Sequence, residues 1–241
     1  MPLNSYSYSI IGGRRENQDA VGSREDGSRG LYVVADGLGG HDAGRVAADC
    51  AVAALLKNWV PETALSKERM AAAIGRANAA ILHIQRETGL ETKSTVVALA
   101  VRDDQAIWAN TGDSRLYHIR DGRVAAHTAD QSLAYKKYRL GMIRWEDIPY
   151  DADQNLLLRA LGNEIHWKPH VYPLQHVRPG DGFLLCSDGL WELLRDGEIA
   201  DDCAAAEDAE DWGRRLIERV EARMEPGHDN VSFIAVKLTA E

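Results

Sequence analysis

The 241-residue sequence predicts an α+β fold, with antiparallel sheet at its centre and helices packed over it. Three observations lead there. Two helical stretches with apolar stripes lie between Asp42 and Gly89. From Ser94 to Gly122 the chain reads as a meander of short strands separated by Asp- and Gly-rich turns. A long amphipathic stretch near the end, about 207 to 223, precedes a last strand at Val231 to Val236.

Taken in order, Tyr6 to Gly12 alternates loosely and reads as a first strand, broken by Gly12-Gly13. Arg14-Arg15-Glu16-Asn17-Gln18-Asp19 is a polar knot. It reads either as a charged turn or as a phosphate grip, because the planar fork of an arginine matches two phosphate oxygens. Residues 21–30, rich in Gly, Ser and charge, read as a loop. Leu31 to Ala35 is a buried strand that stops at Asp36, and three glycines follow within Gly37-Leu38-Gly39-Gly40, then His41. That junction is either a plain strand–turn–helix corner or a carboxylate, a bare backbone and an imidazole gathered for divalent-metal chemistry.

Asp42 is placed to cap the next helix, whose Ala48, Val52, Leu55 and Trp59 share one face, and Pro61 ends it. Ser66 caps a second helix with Met70, Ile74, Ala77, Ile81 and Ile84 in one stripe, and Gly89 closes it. Both stripes are expected to be core. Ser94 to Val101 is nearly all small or β-branched, as in a strand covered on both faces. Ala106 to Asn110 and Leu116 to Ile119 continue the meander, and Asp121-Gly122 is a hairpin turn. From about 133 to 155 the pattern weakens into an excursion off the sheet that includes Tyr135, Tyr138, Gly141 and Trp145, and Leu156 to Leu161 is expected to return to the core. Val171 to Leu174 and Gly182 to Cys186 are strands, and Trp212, Leu216 and Val220 face inward from the late helix. No repeat or linker interrupts the chain, so residues 1–241 read as one domain.

Composition removes several classes. Net charge is −9 with no basic run, which speaks against a nucleic-acid partner. Cys50, Cys186 and Cys203 are few and scattered, against a disulfide framework and in favour of a reducing, cytoplasmic setting. The N-terminus lacks the pattern of a signal peptide, and no apolar run approaches the roughly 18 residues of a membrane span. His166 and His170 have zinc-like spacing, but Pro169 intervenes and no partner ligand follows. No cysteine is followed six residues on by an arginine, and neither a G-x-x-x-x-G-K-[ST] loop nor a G-x-S-x-G elbow occurs.

What recurs is an Asp beside a Gly at the edge of a buried element: Asp36-Gly37, Gly112-Asp113, Asp188-Gly189 and Gly227-His228-Asp229-Asn230. With Asp19 they suggest carboxylates converging at one end of the sheets. Acids so placed would repel one another and hold protons, a conflict that hard, oxygen-ligated Mg²⁺ or Mn²⁺ would remove.

The ordered set Arg14-x-x-Asn17-Gln18-Asp19, Asp36-Gly37-Leu38-Gly39-Gly40-His41, Ser94-Thr95, Thr111-Gly112-Asp113-Ser114-Arg115, Asp130-Gln131-Ser132, Arg159-Ala160-Leu161-Gly162, Ser187-Asp188-Gly189-Leu190-Trp191 and Asp229-Asn230-Val231-Ser232 resembles the PP2C-type (PPM) metal-dependent protein serine/threonine phosphatases, in their compact bacterial form. The resemblance runs from Arg14 to Val236. It implies a four-layer α-β-β-α sandwich, two antiparallel β-sheets flanked by antiparallel helix pairs, and hydrolysis of phosphoserine or phosphothreonine by a metal-activated water.

By the same resemblance, Asp36 bridges two ions and the Gly37 carbonyl binds one of them. Asp188 and Asp229 hold the other, and Asp113 with Asp188 serves a weaker third. Arg14 grips the phosphate, His41 is the general acid, and Asp19 supports water in the metal site, with Gln18 and Asn230 beside it. A phosphoprotein substrate and a cognate Ser/Thr kinase are the implied partners. Gln18 stands where many members carry Glu, and Lys93 precedes Ser94-Thr95 where Gly is usual. The rival is a non-catalytic phosphoprotein-binding domain on the same fold, expected to have lost one of these acids.

Overall fold

The computed structural model describes residues 1–40 and 43–240. Strands β1 (Leu3–Ile10), β2 (Asp19–Asp26) and β3 (Arg29–Leu38) lead into helices α1 (Ala43–Lys57) and α2 (Lys67–Thr88). The meander follows as β4 (Lys93–Ser94), β5 (Val96–Arg102), β6 (Gln105–Thr111), β7 (Arg115–Arg120) and β8 (Arg123–His127). The excursion carries α3 (Leu133–Arg139) and a 3₁₀ turn at Trp145–Tyr150. Then come β9 (His170–Val171), β10 (Gln175–His176), β11 (Gly182–Cys186), the short α4 (Asp188–Trp191), α5 (Asp196–Ala205), α6 (Ala209–Arg223) and β12 (Val231–Leu238).

All strand pairs are antiparallel. One sheet has the order β1-β12-β11-β7-β8; the other runs β10-β6-β5-β3-β2, with β4 on β3 and β9 on β6. Side chains that alternate along a strand therefore enter two different apolar layers. Tyr32 and Val34 of β3, Phe183 and Leu185 of β11, and Ile234 and Val236 of β12 meet between the sheets. Val33 and Ala35 face α1 and α2 on one outer side. Leu184, Cys186, Phe233 and Ala235 face α5 and α6 on the other. Three apolar layers separate four structural ones, the expected α-β-β-α order, and explain why the central strands read as unbroken apolar runs.

Local signals place the ends. Ser66 Oγ accepts the Arg69 N–H, and Gly89 adopts φ +72° while its N–H bonds the Gln85 carbonyl. Asp121 and Gly122 both have positive φ, +53° and +69°, as the tight β7–β8 hairpin requires. The expected loop at 21–30 is instead most of the β2–β3 hairpin, with Asp19 paired to Asp36 and Asp26 to Arg29. Its outer half is an exposed edge, so its side chains are polar. Leu156 and Leu158 are exposed, and the chain re-enters the core only at Ala160 and Leu161. α5, an acidic helix without a clear stripe, was not expected; it is the partner α6 needs to form the second helix pair.

Two carboxylates knit the far side. Asp181 is buried but takes Arg120 in a fork at 2.7 and 2.6 Å and the Arg178 N–H at 3.0 Å, with His118 Nε2 at 3.4 Å as a looser electrostatic contact. Burial opposes its charge, yet Arg120 and His118 hold it well below the usual carboxylate range. Arg223 lowers Glu198 to about 2. A carboxylate depressed in the folded state stabilises above its unfolded pKa, about 3.9 for Asp and 4.3 for Glu, and loses that contribution as pH falls toward the folded value. The melting temperature is therefore expected to fall below about pH 4, and Asp181→Asn to flatten that slope in a pH series of thermal melts.

Candidate active site

Each predicted acid sits where a strand or turn delivers it to one end of the sandwich. Asp36 lies near the end of β3. Its backbone is fixed from both sides: the Asp36 N–H donates to Thr95 Oγ1 at 2.9 Å, and its carbonyl accepts the Thr95 N–H at 2.8 Å and Ser94 Oγ at 3.0 Å. Gly37 packs so tightly on the start of α1 that a Cβ there would lie 2.0 Å from the Gly44 carbonyl oxygen. Only glycine fits, and the residue lines the cleft.

Asp188 opens α4 directly after β11, with its Oδ1 accepting the Gly189 N–H at 2.8 Å. Asp229 precedes β12, and Asn230 straps this turn to the polar knot: its Nδ2 donates to the Ile11 and Glu16 carbonyls at 2.7 and 2.9 Å, and its Oδ1 accepts the Gln18 N–H at 2.8 Å. Asp113 follows Gly112 in the β6–β7 turn. Asp19 lies opposite Asp36 in the hairpin and accepts Ser187 Oγ at 2.8 Å, so the two sheets are tied behind the acids.

The result is a cleft of about 470 Å³ whose walls include Arg14, Gln18, Asp36, Gly37, Asp113, Asp188, Asp229 and Asn230. The excursion contributes Asn155 and Leu157 to its rim. Gln18 braces the floor, with its carbonyl accepting the Gly37 N–H at 3.2 Å. Lys93 points outward beside Leu38, away from this wall. His41 lies outside the described residues. Sequence reasoning missed Glu192, which adds a further carboxylate beside Asp188. Its signal was present: four residues after Asp188 at the start of a helix puts both on one face. His228 was also passed over; its Nε2 meets the Gly189 carbonyl at 2.7 Å and holds the β12 turn against α4.

Electrostatically the cleft is in conflict. Burial, then Asp19, Asp113 and Asp229, push Asp36 well above the usual carboxylate range, and burial, then Asp36 and Asp113, do the same to Asp188. Burial raises Asp113 to about 7 and Asp19 to about 6. Among the described residues, the one cation that ion-pairs with these acids is Arg14, whose Nη2 lies 2.7 Å from Asp229 Oδ2. Among the described residues, no three His, Cys, Asp or Glu side chains are already gathered into a cage for an ion. The acids share a cleft, but Asp229 leans to Arg14 and Asp188 to its own helix start. The donor set itself is all oxygen, strongly anionic and short of positive charge, which fits hard divalent cations and no softer metal.

Comparison with known proteins agrees with this geometry. A family model described as protein phosphatase 2C matches residues 8–227. This chain belongs to the protein phosphatase 2C family. A serine/threonine phosphatase stp of Listeria monocytogenes is 32% identical over 93% of this chain and 91% of its own length. The serine/threonine protein phosphatase PstP of Mycobacterium tuberculosis is 34% identical over 93% of this chain and 43% of that longer protein. The crystal structure of M. tuberculosis PstP/Ppp superposes with a TM-score of 0.87 at 29% identity and covers 100% of both chains. A PstP catalytic domain in complex with two manganese ions gives 0.82 at 28% identity over 99% of both. The 2C-family fold, two antiparallel sheets between helices, is thus the fold of this chain, and the chain is a protein phosphatase of the metal-dependent type.

Proposed function

We propose that this phosphatase hydrolyses phosphoserine and phosphothreonine in protein substrates, reversing a Ser/Thr kinase, with two Mg²⁺ or Mn²⁺ ions in the cleft and a third, weaker ion at its edge. The observation that carries the reading is the convergence of Asp36, Asp113, Asp188 and Asp229 with Arg14 on one cleft. Asp36, Asp188, Asp229 and the Gly37 carbonyl would hold the principal ions, and Asp113 with Asp188 the weaker one. When bound, the ions neutralise the phosphate and activate a water. The manganese-bound PstP domain supports the pair, and its manganese belongs to that protein.

The chain's own groups do the rest. Arg14, half-exposed at the rim, is free to exchange its pairing with Asp229 for two phosphate oxygens once cations compensate that acid. Asp19, braced by Ser187, keeps an acceptor behind Asp36 for an ordered water. His41 is proposed to return a proton to the departing alkoxide. Gln18 and Asn230 hold the floor rigid, and Gln18 adds no charge where a Glu would, so one ion is expected to bind more weakly.

Hydrolysis of a chromogenic phosphomonoester and of a phosphothreonine peptide should require Mn²⁺ or Mg²⁺ and stop in EDTA. Turnover that persists in EDTA contradicts the reading. Tight phosphopeptide binding with no turnover under any metal would instead mark a binding domain. Arg14→Ala is expected to raise KM about 10- to 100-fold, the worth of a charge-assisted hydrogen-bond pair at about 1.5–3 kcal/mol, with a smaller change in kcat.

A further inference from the structure

A second cavity lies at the opposite end of the first helix pair from the acids. It has a volume of about 330 Å³, within the range of ligand cavities, and it reaches the helix–sheet core. Its floor is Leu31, Leu55, Met70, Ala100 and Ile107, all members of the apolar layer under α1 and α2. The space is a half-open groove, and its inner wall reaches down to five core side chains. Ala72 and Ala73 of α2, small side chains, and residues of the 58–66 connection line the rest of its wall.

The mouth is cationic. Arg69 and Arg76 both line it, seven residues apart and so on one face of α2, and both are exposed. Neither guanidinium has an ion-pair or hydrogen-bond partner among the described residues. No acid lines the cavity, and the neighbouring Glu68 is engaged by Ser66 and its own backbone at the helix start. In a chain of net charge −9, where most arginines are paired, two free ones beside an apolar hole mark a preference for an anion with an apolar body. Of the other polar lining groups, Asn58 Nδ2 donates to the Ala54 carbonyl and Ser66 Oγ accepts the Arg69 N–H, and Thr63 adds a neutral hydroxyl.

We propose that this cavity binds a free single-chain carboxylate, its acyl or aromatic body on the core floor and its carboxylate between Arg69 and Arg76. The site shares no residue with the phosphatase cleft, so it stands or falls independently of the catalytic reading.

Isothermal titration of the metal-free protein with hexanoate, octanoate and decanoate tests it. Each added methylene should tighten binding about fourfold until the cavity is full. The Arg69→Gln/Arg76→Gln variant should bind decanoate at least tenfold more weakly, and Ala73→Phe should abolish binding. Unchanged Mn²⁺-dependent turnover of a chromogenic substrate shows that both variants are folded. The proposal is overturned if 1-decanol binds as tightly as decanoate, if the double arginine variant is unaffected, or if no saturable binding occurs below the micellar concentration. Arg69- and Arg76-dependent binding to anionic phospholipid vesicles without binding of monomeric carboxylate overturns it too, in favour of a membrane contact.

Discussion

Asp188→Asn is expected to abolish metal-dependent turnover while making the metal-free protein more stable. Asparagine keeps the shape and the acceptor that takes the Gly189 N–H, so α4 still starts where it does. What is lost is the charge. Asp188 is buried and faces Asp36, Asp113, Glu192 and Asp229, so without cations its ionised form is unfavourable. Removing it relieves that repulsion, and a gain of about 1 kcal/mol would raise the melting temperature by about 2–4 °C in a chain of this size. With cations the sign reverses, because a neutral amide is a poor ligand for a hard ion. Outer-lying partners of a metal already cost about 10–100-fold when removed, so a direct ligand should cost more than about 100-fold in turnover at fixed Mn²⁺. Rates across a manganese titration, with melts in EDTA, read both effects. Normal turnover would remove Asp188 from the metal site, and a lower melting temperature would show that its carboxylate was already compensated.

Arg115→Met should destabilise the protein by about 3–5 kcal/mol, the usual consequence of leaving a buried partner charge alone. Arg115 and Asp130 have side-chain exposures of 3% and 0% and form a fork at 2.9 and 2.6 Å. The guanidinium also donates to Tyr117 at 3.1 Å and is sandwiched between Trp191 at 3.7 Å and Trp145 at 4.5 Å from the ring centroids. Methionine fills much of the space but leaves the Asp130 carboxylate buried without its cation. At about 2–4 °C per kcal/mol the melting temperature should drop by about 6–20 °C. Replacing Asp130 by an apolar residue as well should recover part of this, since a whole buried pair is often dispensable where half of one is not. The same clamp joins the excursion, through Trp145, to Asp113, whose carbonyl accepts Trp191 Nε1 at 3.1 Å. Amide exchange over 133–155 should therefore accelerate in the single variant. A melting temperature within a degree or two of the parent would show that the pair contributes little.

Much of the fold was legible because it is written in local chemistry. Ser66 and Gly89 act through their own side chain or their own missing one, and Trp212, Leu216 and Val220 share a helix face whatever they pack on. β2 was not legible. Its outer half is an edge whose polar side chains look like a loop, and Gly22, which reads as a breaker, is there because a Cβ would lie 2.6 Å from Val52 of α1. α5 escaped for a related reason: the apolar residues it buries, Ile199, Ala200 and Cys203, are mostly small and are interrupted by acids, so they leave only a weak stripe in the sequence.

For the site, the residue types and their order along the chain were enough to specify a family, an all-oxygen donor set and an arginine beside it, because each is a property of single side chains and short spacings. Distances between Asp36 and partners up to about 190 residues away are not such a property. Packing of β3, β11 and β12 brings these acids to one cleft, turns Asp229 toward Arg14, adds Glu192 and opens a second cavity under Arg69 and Arg76. Those outcomes depend on long-range apolar burial, which orders elements in space without leaving a mark at the positions it moves together.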